Sequence, residues 1–536
     1  MFDQSVFAPA PERASANQVW RSERILSAAR LVLLALPWLW AIGYFFPPLN
    51  HDVGALLQFA QRMLQGEVLY VDLIDINPPM VFLLDTVPVA IAAALKLPVV
   101  TCFTLFVLAL CAITLAWCVR LLARRDDRGA LGALLWPALI GFALIVYPMH
   151  SFGQREHLLL VFALPYALAA AARADRAATS QPLGRGLEIA IALYALLGIL
   201  LKPYFALVPL ALELIVLGHV GIARWARSPQ PRLILLGCVA YVGAVWLWLP
   251  DYFRVIVPLV AQCYEHIDLA SLAGLLIQDQ VPALLLPLAP LAAIAFRMPG
   301  AGLSRAMVGL VLAGTASGIL QGKGWDYQFF TARAALLLLI GALVVDGFGR
   351  LAPQLRRGAA LMVAAVVCAG MFAFTGVLNP PFKGPRNFVN TAASRLLPVV
   401  QANAAGQPVL WLTTSIYPQF PVLNYTDSRL AMPFMSLWVL PAVYGPEDAP
   451  GGAMVYRAPA AMSRAEQLVY RGVVAGFTCE HPALVLVEQA SREGGFHGLP
   501  FDYLDYFGRD PGFAAEWAHY ALLTKIDNIS IYRRQP

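Results

Sequence analysis

The chain is poor in charged residues. Only 13% of its 536 residues are Asp, Glu, Lys or Arg, while 59% are hydrophobic, and the mean hydropathy is +0.66. Ordinary water-soluble domains carry about 25% charged residues, so this composition excludes a wholly soluble protein. It predicts a polytopic membrane protein.

Several motifs that would identify a cofactor are absent. The sequence contains no Walker motif, no G-x-G-x-x-G, no C-x-x-C and no H-E-x-x-H. Nothing therefore predicts nucleotide hydrolysis, a dinucleotide cofactor or a zinc site. Of the seven cysteines, only Cys263 and Cys479 lie outside the predicted membrane spans, which leaves a disulfide between them open. We attribute the net charge of +6 to membrane orientation and expect no nucleic-acid partner.

Apolar runs alternate with clusters of arginine along the first 378 residues. A hydrocarbon core of about 30 Å needs roughly 20 apolar residues per helix, and short cytoplasmic loops collect basic residues. Together these rules predict a cytoplasmic N-terminus and about eleven spans. The predicted spans are 25–46, 98–122, 130–149, 157–172, 187–201, 204–222, 232–250, 281–297, 305–320, 331–348 and 358–378.

One apolar segment, residues 80–98, does not fit this alternation. If it crossed the membrane, the basic cluster at 124–128 would lie on the outer side, against the orientation rule. The segment also contains Asp85 and Lys96. We therefore predict a juxtamembrane or re-entrant helix on the outer side, and a full crossing is the alternative.

The predicted domains are a cytoplasmic tail (1–24), a transmembrane domain (25–378) whose first outer loop is 47–97, and an outer domain (379–536). The outer domain is expected to be α/β, because strand-like runs at 408–414, 483–490 and 529–534 surround an amphipathic helical pattern at 463–477. Arginine far outnumbers lysine, which is typical of GC-rich bacteria. We accordingly predict a multi-pass protein of the bacterial inner membrane with a periplasmic C-terminal domain.

The stretch "LNHDVGALLQFAQRMLQGEVLYVDLIDINPP" (49–79) follows the first predicted span. Its apolar residues recur at helical spacing between 53 and 64, and polar residues such as Gln58 and Arg62 lie opposite. This pattern predicts an amphipathic helix on the outer membrane surface. Asp52 precedes the first turn, where a carboxylate either caps the helix or faces a substrate. The two roles are compatible.

Polar residues also cluster in three other outer-facing segments. Lysine is scarce on this side, so Lys202 and Lys323 suggest function. Two interpretations without a function remain open. In one, Arg155 and Glu156 only neutralise each other's charge, and in the other, Lys202, Trp325 and Tyr327 anchor the chain at the membrane surface. The residues concerned are Gln154, Arg155, Glu156 and His157 in "HSFGQREHLLL", Lys202 in "LLKPYF", and Lys323, Trp325, Asp326 and Tyr327 in "LQGKGWDYQFF".

The first outer loop resembles that of the GT-C glycosyltransferases, in particular the protein mannosyltransferase and aminoarabinose transferase relatives. These polytopic enzymes use polyprenyl-phosphate sugars and typically carry an acid after the first span, a G-x-x-x-Y-x-D stretch and a basic residue before two prolines. Gly66, Tyr70, Asp72 and the pair Pro78–Pro79 match this pattern. Asn77 stands where the relatives have the basic residue.

The resemblance implies a GT-C-like fold and an integral membrane glycosyltransferase. Such an enzyme would move a sugar from a polyprenyl-phosphate donor to a periplasmic acceptor, for example lipopolysaccharide, a glycolipid or an envelope polysaccharide, with inversion at the anomeric carbon. Asp52 would be the general base, and Glu156 would orient the acceptor. A divalent metal held by Glu156 and Asp52 remains open, although we predict no metal site.

The resemblance further implies that cations hold the donor phosphate and that polar and aromatic side chains contact the sugars. In the outer domain, aromatics of 501–510 either stack on sugars or pack in the core. The implied phosphate-binding residues are Arg155, Lys202 and Lys323, and the implied substrate-binding residues are His51, Tyr70, Asp72, Asp75, Gln154, His157, Trp325 and Tyr327.

Two other functions are compatible with many spans and an outer cavity. A transporter or flippase of a lipid-linked saccharide is disfavoured because the ionisable residues lie at span ends and no pair of Gly/Pro-broken spans repeats. A ligase that takes its sugar from a lipid-linked glycan would differ mainly in the substrate.

Overall fold

A computed structural model describes residues 16–124, 129–175, 184–264, 270–277, 280–348, 353–489, 496 and 498–536. Residues 1–15 of the predicted tail lie outside these ranges. The remaining tail residues, 16–24, belong to the first helix instead, so the helix begins before the predicted span.

The amino-terminal part is helical. Its first nine α-helices are α1 (Ala16–Trp40), α2 (His51–Leu64), α3 (Pro79–Leu95), α4 (Val99–Ala123), α5 (Gly129–Gly141), α6 (Arg155–Ala174), α7 (Arg185–Ile199), α8 (Leu207–Val220) and α9 (Ile222–Trp225). The next seven are α10 (Pro229–Trp248), α11 (Val257–Gln262), α12 (Leu272–Ile277), α13 (Gln280–Arg297), α14 (Gly302–Leu320), α15 (Phe330–Phe348) and α16 (Pro353–Ala373).

Within the described ranges, nine helical segments are long and apolar enough to cross a membrane. The other two of the eleven predicted spans are shorter than this length: the segment 131–146 ends in a π-helix, and α7 has only 15 residues. In lipid each helix satisfies its own backbone hydrogen bonds, which is why apolar runs alone located most spans. The chain is a polytopic α-helical membrane protein.

Two helices form the centre of the bundle. In the most apolar stretch of α6, 89% is buried inside the protein, and in α14 the share is 78%. In the peripheral helix α10 the share is only 11%. α6 packs against α4, α7, α8 and α14. Because α6 begins at Arg155, the predicted polar cluster lies at the end of the most central helix.

The amphipathic helix at 51–64 is present as α2, but its predicted environment is wrong. Its polar face does not lie in solvent: the side chain of Gln58 donates to the Ser428 carbonyl (2.8 Å) and accepts from the Leu430 N–H (3.1 Å). Arg62 donates to the Met432 carbonyl (2.7 Å). A polar face that is satisfied by another domain's backbone can be buried at little cost. α2 therefore lies under the C-terminal domain and not on lipid.

The other face of α2 packs along α3, where the rings of Phe59 and Phe82 stack with centroids 6.1 Å apart. α3 ends at Leu95, and α4 begins four residues later. The first turns of α4 lie beside Gly153, since a Cβ there would be 2.5 Å from the Phe103 ring. These contacts favour a helix on the outer side for residues 80–98. Whether this helix crosses the membrane stays a prediction.

The C-terminal part forms an α/β domain. Its helices are α17 (Lys383–Phe388), α18 (Ala392–Ala404), α19 (Gln419–Thr426), α20 (Leu440–Val443), α21 (Arg464–Glu480), α22 (Tyr503–Gly508) and α23 (Pro511–Trp517). Its strands are β1 (Pro408–Leu412), β2 (Arg429–Leu430), β3 (Leu484–Glu488), β4 (Tyr520–Ile526) and β5 (Ile529–Arg534). They form one sheet in the order β2-β1-β3-β5-β4, parallel at β2-β1-β3 and antiparallel at β3-β5-β4.

The three predicted strands and the predicted helix of this domain are confirmed as β1, β3, β5 and α21. β2 and β4 were not predicted, because a two-residue strand and a largely exposed one lack a clear hydrophobic pattern. Phe501, Tyr506 and Phe507 are fully buried, which assigns these aromatics to the core. All seven cysteines are free, so the suggested disulfide between Cys263 and Cys479 is wrong.

Candidate active site

Asp52 lies in the first turn of α2, but it does not cap the helix. The N-cap is Asn50, whose side-chain oxygen accepts from the backbone N–H groups of Asp52 (3.0 Å) and Val53 (3.3 Å). The Asn50 amide also donates to the His150 carbonyl (2.9 Å) and so ties α2 to the segment before α6. The interpretation of Asp52 as a cap is wrong, and its carboxylate is left for other contacts.

The Asp52 carboxylate faces the start of α6. Gln154 donates to its Oδ2 (3.3 Å), and a guanidinium nitrogen of Arg155 lies 3.8 Å from the same atom. The ring nitrogen Nε2 of His51 lies 3.7 Å from Oδ1. The Asp52 side chain keeps 17% of its surface exposed, so a substrate hydroxyl could reach it. An acid beside a cation and still open to solvent is suited to accept a proton from a bound alcohol.

The turn that places Gln154 and Arg155 depends on Gly153. Its φ is +79°, a region that favours glycine. A Cβ at this position would also meet the Phe103 ring at 2.5 Å. The turn therefore permits no side chain here, and it lets α6 begin directly opposite α2.

Asn77 was read from the sequence only as a departure from the family pattern, yet it joins two parts of the site. Its side-chain oxygen accepts a hydrogen bond from Arg155, and its amide nitrogen donates to Asp75 Oδ1 (2.7 Å). Asp75 is buried, and burial raises the pKa of its carboxyl, while the hydrogen bonds from Asn77 and the nearby Arg155 charge oppose that rise. The sequence signal that could have identified Asn77 is its position directly before the two prolines.

A second buried polar group lies beside the first. Lys202 donates to Glu156 Oε1 (2.6 Å) and to Gln321 Oε1 (2.7 Å). Burial lowers the pKa of Lys202 to about 8; the Glu156 charge opposes this shift, and the Arg155 charge adds to it. Glu156 Oε2 is buried and has no hydrogen-bond partner among the described residues. Arg155 and Glu156 thus contact different groups, and the interpretation that they merely neutralise each other is not supported.

Aromatic residues from two other segments surround these cations. The Lys202 ammonium lies 5.4 Å from the centroid of the Tyr327 ring, and that ring lies 5.9 Å from the ring of Trp325. Lys323 donates to the Tyr264 carbonyl (2.8 Å) and lies 4.6 Å from the centre of the Tyr264 ring. Lys202 and Lys323 are both buried, so neither is an exposed interfacial anchor.

Tyr264, which was not predicted, contacts Lys323 through its carbonyl and its ring. Burial raises the pKa of its hydroxyl; the Arg155 charge opposes that rise, and the charges of Asp52 and Asp75 add to it. No sequence signal marked this residue, since it lies in a loop without a motif.

Other residues that the resemblance implied have structural contacts. Tyr70 is buried and donates to the Asn77 carbonyl (2.6 Å), and Asp72 accepts from the Val68 N–H (2.8 Å), so both hold the first outer loop. His157 is buried, with one ring nitrogen accepting from the Gly153 N–H (3.0 Å) and the other 2.8 Å from the Leu144 carbonyl. These contacts indicate that Tyr70, Asp72 and His157 hold the site in shape rather than contact a substrate directly.

The two acids do not form an evident metal site. Asp52 faces Arg155, and Glu156 is bonded to Lys202, so each carboxylate already has a cation nearby. Among the described residues, no group of three or more His, Cys, Asp or Glu side chains is placed to hold a metal ion. This donor set does not fit a divalent cation, and we assign no step to one.

Comparisons with known proteins found similar solved structures but no related sequence. No family model and no curated protein matches the chain. The cryo-EM structure of the arabinofuranosyltransferase AftD from mycobacteria superposes on 96% of this chain, with a TM-score of 0.43 and 16% sequence identity. The match covers 40% of the AftD chain. At this TM-score the likeness carries no argument about function. What the structure establishes is a polytopic helical membrane protein with a C-terminal α/β domain and a buried polar cluster where the two meet.

Proposed function

We propose that the protein is an integral membrane glycosyltransferase of the GT-C type. It transfers a sugar from a polyprenyl-phosphate donor to an acceptor on the outer, periplasmic side of a bacterial inner membrane. The observation that supports this most is the meeting of one partly exposed carboxylate, Asp52, with two buried cations, Arg155 and Lys202, at the outer end of the central helix. The three side chains come from parts of the chain that are far apart in sequence.

A phosphate leaving group explains why this site would bury cations. Taking Lys202 and Arg155 out of water is unfavourable unless negative charge compensates them. Asp52 and Glu156 supply part of that charge, while Arg155 Nε is buried and has no hydrogen-bond partner in the part of the chain that the structure describes. A donor phosphate would satisfy such donors, and the developing charge on the departing phosphate would be stabilised more than that of the bound donor.

The proposed reaction is a single displacement with inversion. The acceptor hydroxyl oxygen attacks the anomeric carbon, the bond from that carbon to the phosphate oxygen breaks, and polyprenyl phosphate leaves. Asp52 takes the hydroxyl proton, a contribution of about 10²–10⁴-fold for a positioned base. Arg155, Lys202 and Lys323 contact the phosphate, and Glu156 positions Lys202. Gln154 orients Asp52, and His51, Trp325 and Tyr327 line the entrance for the sugars.

The test is an Asp52→Asn variant in cells that lack the native gene. We expect the membrane level to be normal and the glycan made by this enzyme to be missing from the profile of lipopolysaccharide and extractable glycolipids. Asp527→Asn is the matched control, because this exposed acid pairs with Arg395 on the C-terminal domain. Unchanged glycans with Asp52→Asn at normal abundance would contradict the base assignment. A deletion strain with intact glycans but blocked solute uptake or export would indicate a transporter.

A further inference from the structure

A cavity lies between the membrane domain and the C-terminal domain. Its volume is about 530 Å³, and the first outer loop, the segment around α11 and helix α21 form its walls. The residues that matter here are Val71, Ile74, Arg254, Leu259, Arg464 and Arg471. It contains none of the residues that the proposed reaction uses.

Three exposed arginines surround this cavity: Arg254, Arg464 and Arg471. Within the part of the chain that the structure describes, none of the three makes an ion pair or a side-chain hydrogen bond. Other arginines of the same domain are paired, for example Arg457 with Asp448 (2.8 Å) and Arg395 with Asp527 (2.7 Å). Unpaired like charges around one cavity repel each other, and an anion between them removes that repulsion.

The two arginines of α21 share one face of the helix. Arg464 and Arg471 are seven residues apart, which is about two turns. Arg464 lies in the first turn of this 17-residue helix, where the helix dipole disfavours a cation. A bound anion would be favoured both by the dipole and by the guanidinium groups, which match phosphate oxygens in pairs.

Apart from Gln262 and Gln467, the rest of the cavity wall is apolar. Leu259 in this wall is buried, and Val71 leaves 56% of its surface exposed. The segment 252–262, which contributes Arg254 and Leu259, is a short apolar helix. Arginines above an apolar wall fit a molecule that carries phosphate at one end and a hydrocarbon chain at the other.

The same loop borders both sites. Ile74 lines the cavity, and the next residue, Asp75, contacts Asn77 in the Asp52 cluster. The Ile74 N–H donates to the Pro433 carbonyl (2.7 Å), and Pro433 also lines the cavity. We propose that this cavity binds the phosphate group and adjacent chain of an amphipathic, lipid-anchored acceptor. The acceptor role rests on the proposed glycosyltransferase function; the binding of a phosphate-bearing lipid does not.

The test uses the full chain in detergent micelles, with dihexanoyl phosphatidic acid as the probe and the dissociation constant as the readout. We expect the Arg464→Gln/Arg471→Gln double variant to bind the probe about tenfold more weakly or worse. Arg386→Gln/Arg395→Gln is the control, since it removes the same charge from exposed positions outside the cavity, and it should bind as the native chain does. We also expect inorganic phosphate and dihexanoyl phosphatidylcholine to bind more weakly than the probe.

Three results would overturn the proposal. Equal losses in the two double variants would indicate a general charge effect. If inorganic phosphate bound as tightly as the probe, the hydrocarbon chain of the probe would not contribute to binding. If phosphatidylcholine bound as tightly as the probe, the negative charge would not contribute. Asp52→Asn separates the two proposals: it should bind the probe normally, whether or not transfer is lost. Normal probe binding together with unchanged glycans in Asp52→Asn would keep the cavity and reject the catalytic assignment.

Discussion

Lys202 donates a 2.6 Å hydrogen bond to Glu156, although 46 residues separate them in the chain. The pair lies at the N-terminal end of the central helix α6, where Glu156 is fully buried. In such a place a carboxylate and an ammonium depend on each other for their charged states.

The first prediction concerns the pH dependence of transfer. Burial lowers the pKa of Lys202 to about 8, so the side chain is a cation below that pH and loses its proton above it. If the cation binds the donor phosphate, activity should fall as pH rises through about 8. Lys202→Arg should retain activity and lose this alkaline limb, because a guanidinium stays protonated. Rates measured from pH 6 to 10 on native and variant membranes check both points, and a limb that persists in the variant would assign it to another group.

The second prediction concerns Glu156. Its charge and hydrogen bond raise the pKa of Lys202 against the effect of burial, so Glu156→Gln should lower that pKa below about 8. The alkaline limb should therefore move to lower pH while the acidic side of the profile changes less. Glu447→Gln, an exposed acid of the C-terminal domain, is the control. An unchanged limb in Glu156→Gln would show that Glu156 does not position Lys202.

The third prediction concerns Asn77. Asn77→Ala removes a hydrogen-bond acceptor from Arg155 and a donor from Asp75. Unsatisfied buried groups of this kind cost about 1–3 kcal/mol in the free energy of unfolding. We expect transfer to slow by about 10- to 100-fold, because Arg155 loses a contact that orients it. Thermal unfolding in detergent and initial rates measure the two effects.

Asn403→Ala is the comparison for that variant, since the Asn403 amide donates to the Val399 carbonyl within its own helix. It should leave the rate of transfer unchanged. A native rate in Asn77→Ala would contradict a role for the Arg155–Asn77 contact.

The fourth prediction concerns the turn at Gly153. Gly153→Ala places a Cβ against the Phe103 ring and strains a backbone with a φ of +79°. Such strain costs about 1–3 kcal/mol, and it should displace Arg155 from Asp52. We expect lower thermal stability together with reduced transfer. Gly358→Ala, in a helix with open space around the glycine, should lower neither quantity, because alanine favours the helix.

The fifth prediction concerns the contact between α2 and the C-terminal domain. Gln58→Leu keeps the volume roughly constant but removes both hydrogen bonds to the backbone of Ser428 and Leu430. The loss should lower the free energy of unfolding by about 1–3 kcal/mol and expose the domain to limited proteolysis. Gln65→Leu, at the exposed end of α2, is the control and should resist proteolysis as the native chain does. Equal resistance in the two variants would argue against a stabilising contact.

The amino-acid sequence by itself determined the class of fold. Apolar runs such as 98–122 appear as spans because a helix in lipid satisfies its backbone within its own length. The strands at 408–412 and 484–488 were readable for a similar reason, since buried β-branched and leucine-rich runs favour central strands. Asp52, Arg155 and Lys202 were identifiable as charges at span ends, although their partners were not.

The tertiary structure decided which groups meet. It capped α2 with Asn50 and so left the Asp52 carboxylate for Gln154 and Arg155. It turned the polar face of α2 toward the C-terminal domain, 370 residues later in the chain. A hydropathy pattern gives the polarity of each helix face. It does not say whether water, lipid or the backbone of another domain satisfies the polar groups of that face. That choice depends on contacts between distant segments, which form only when the whole chain packs.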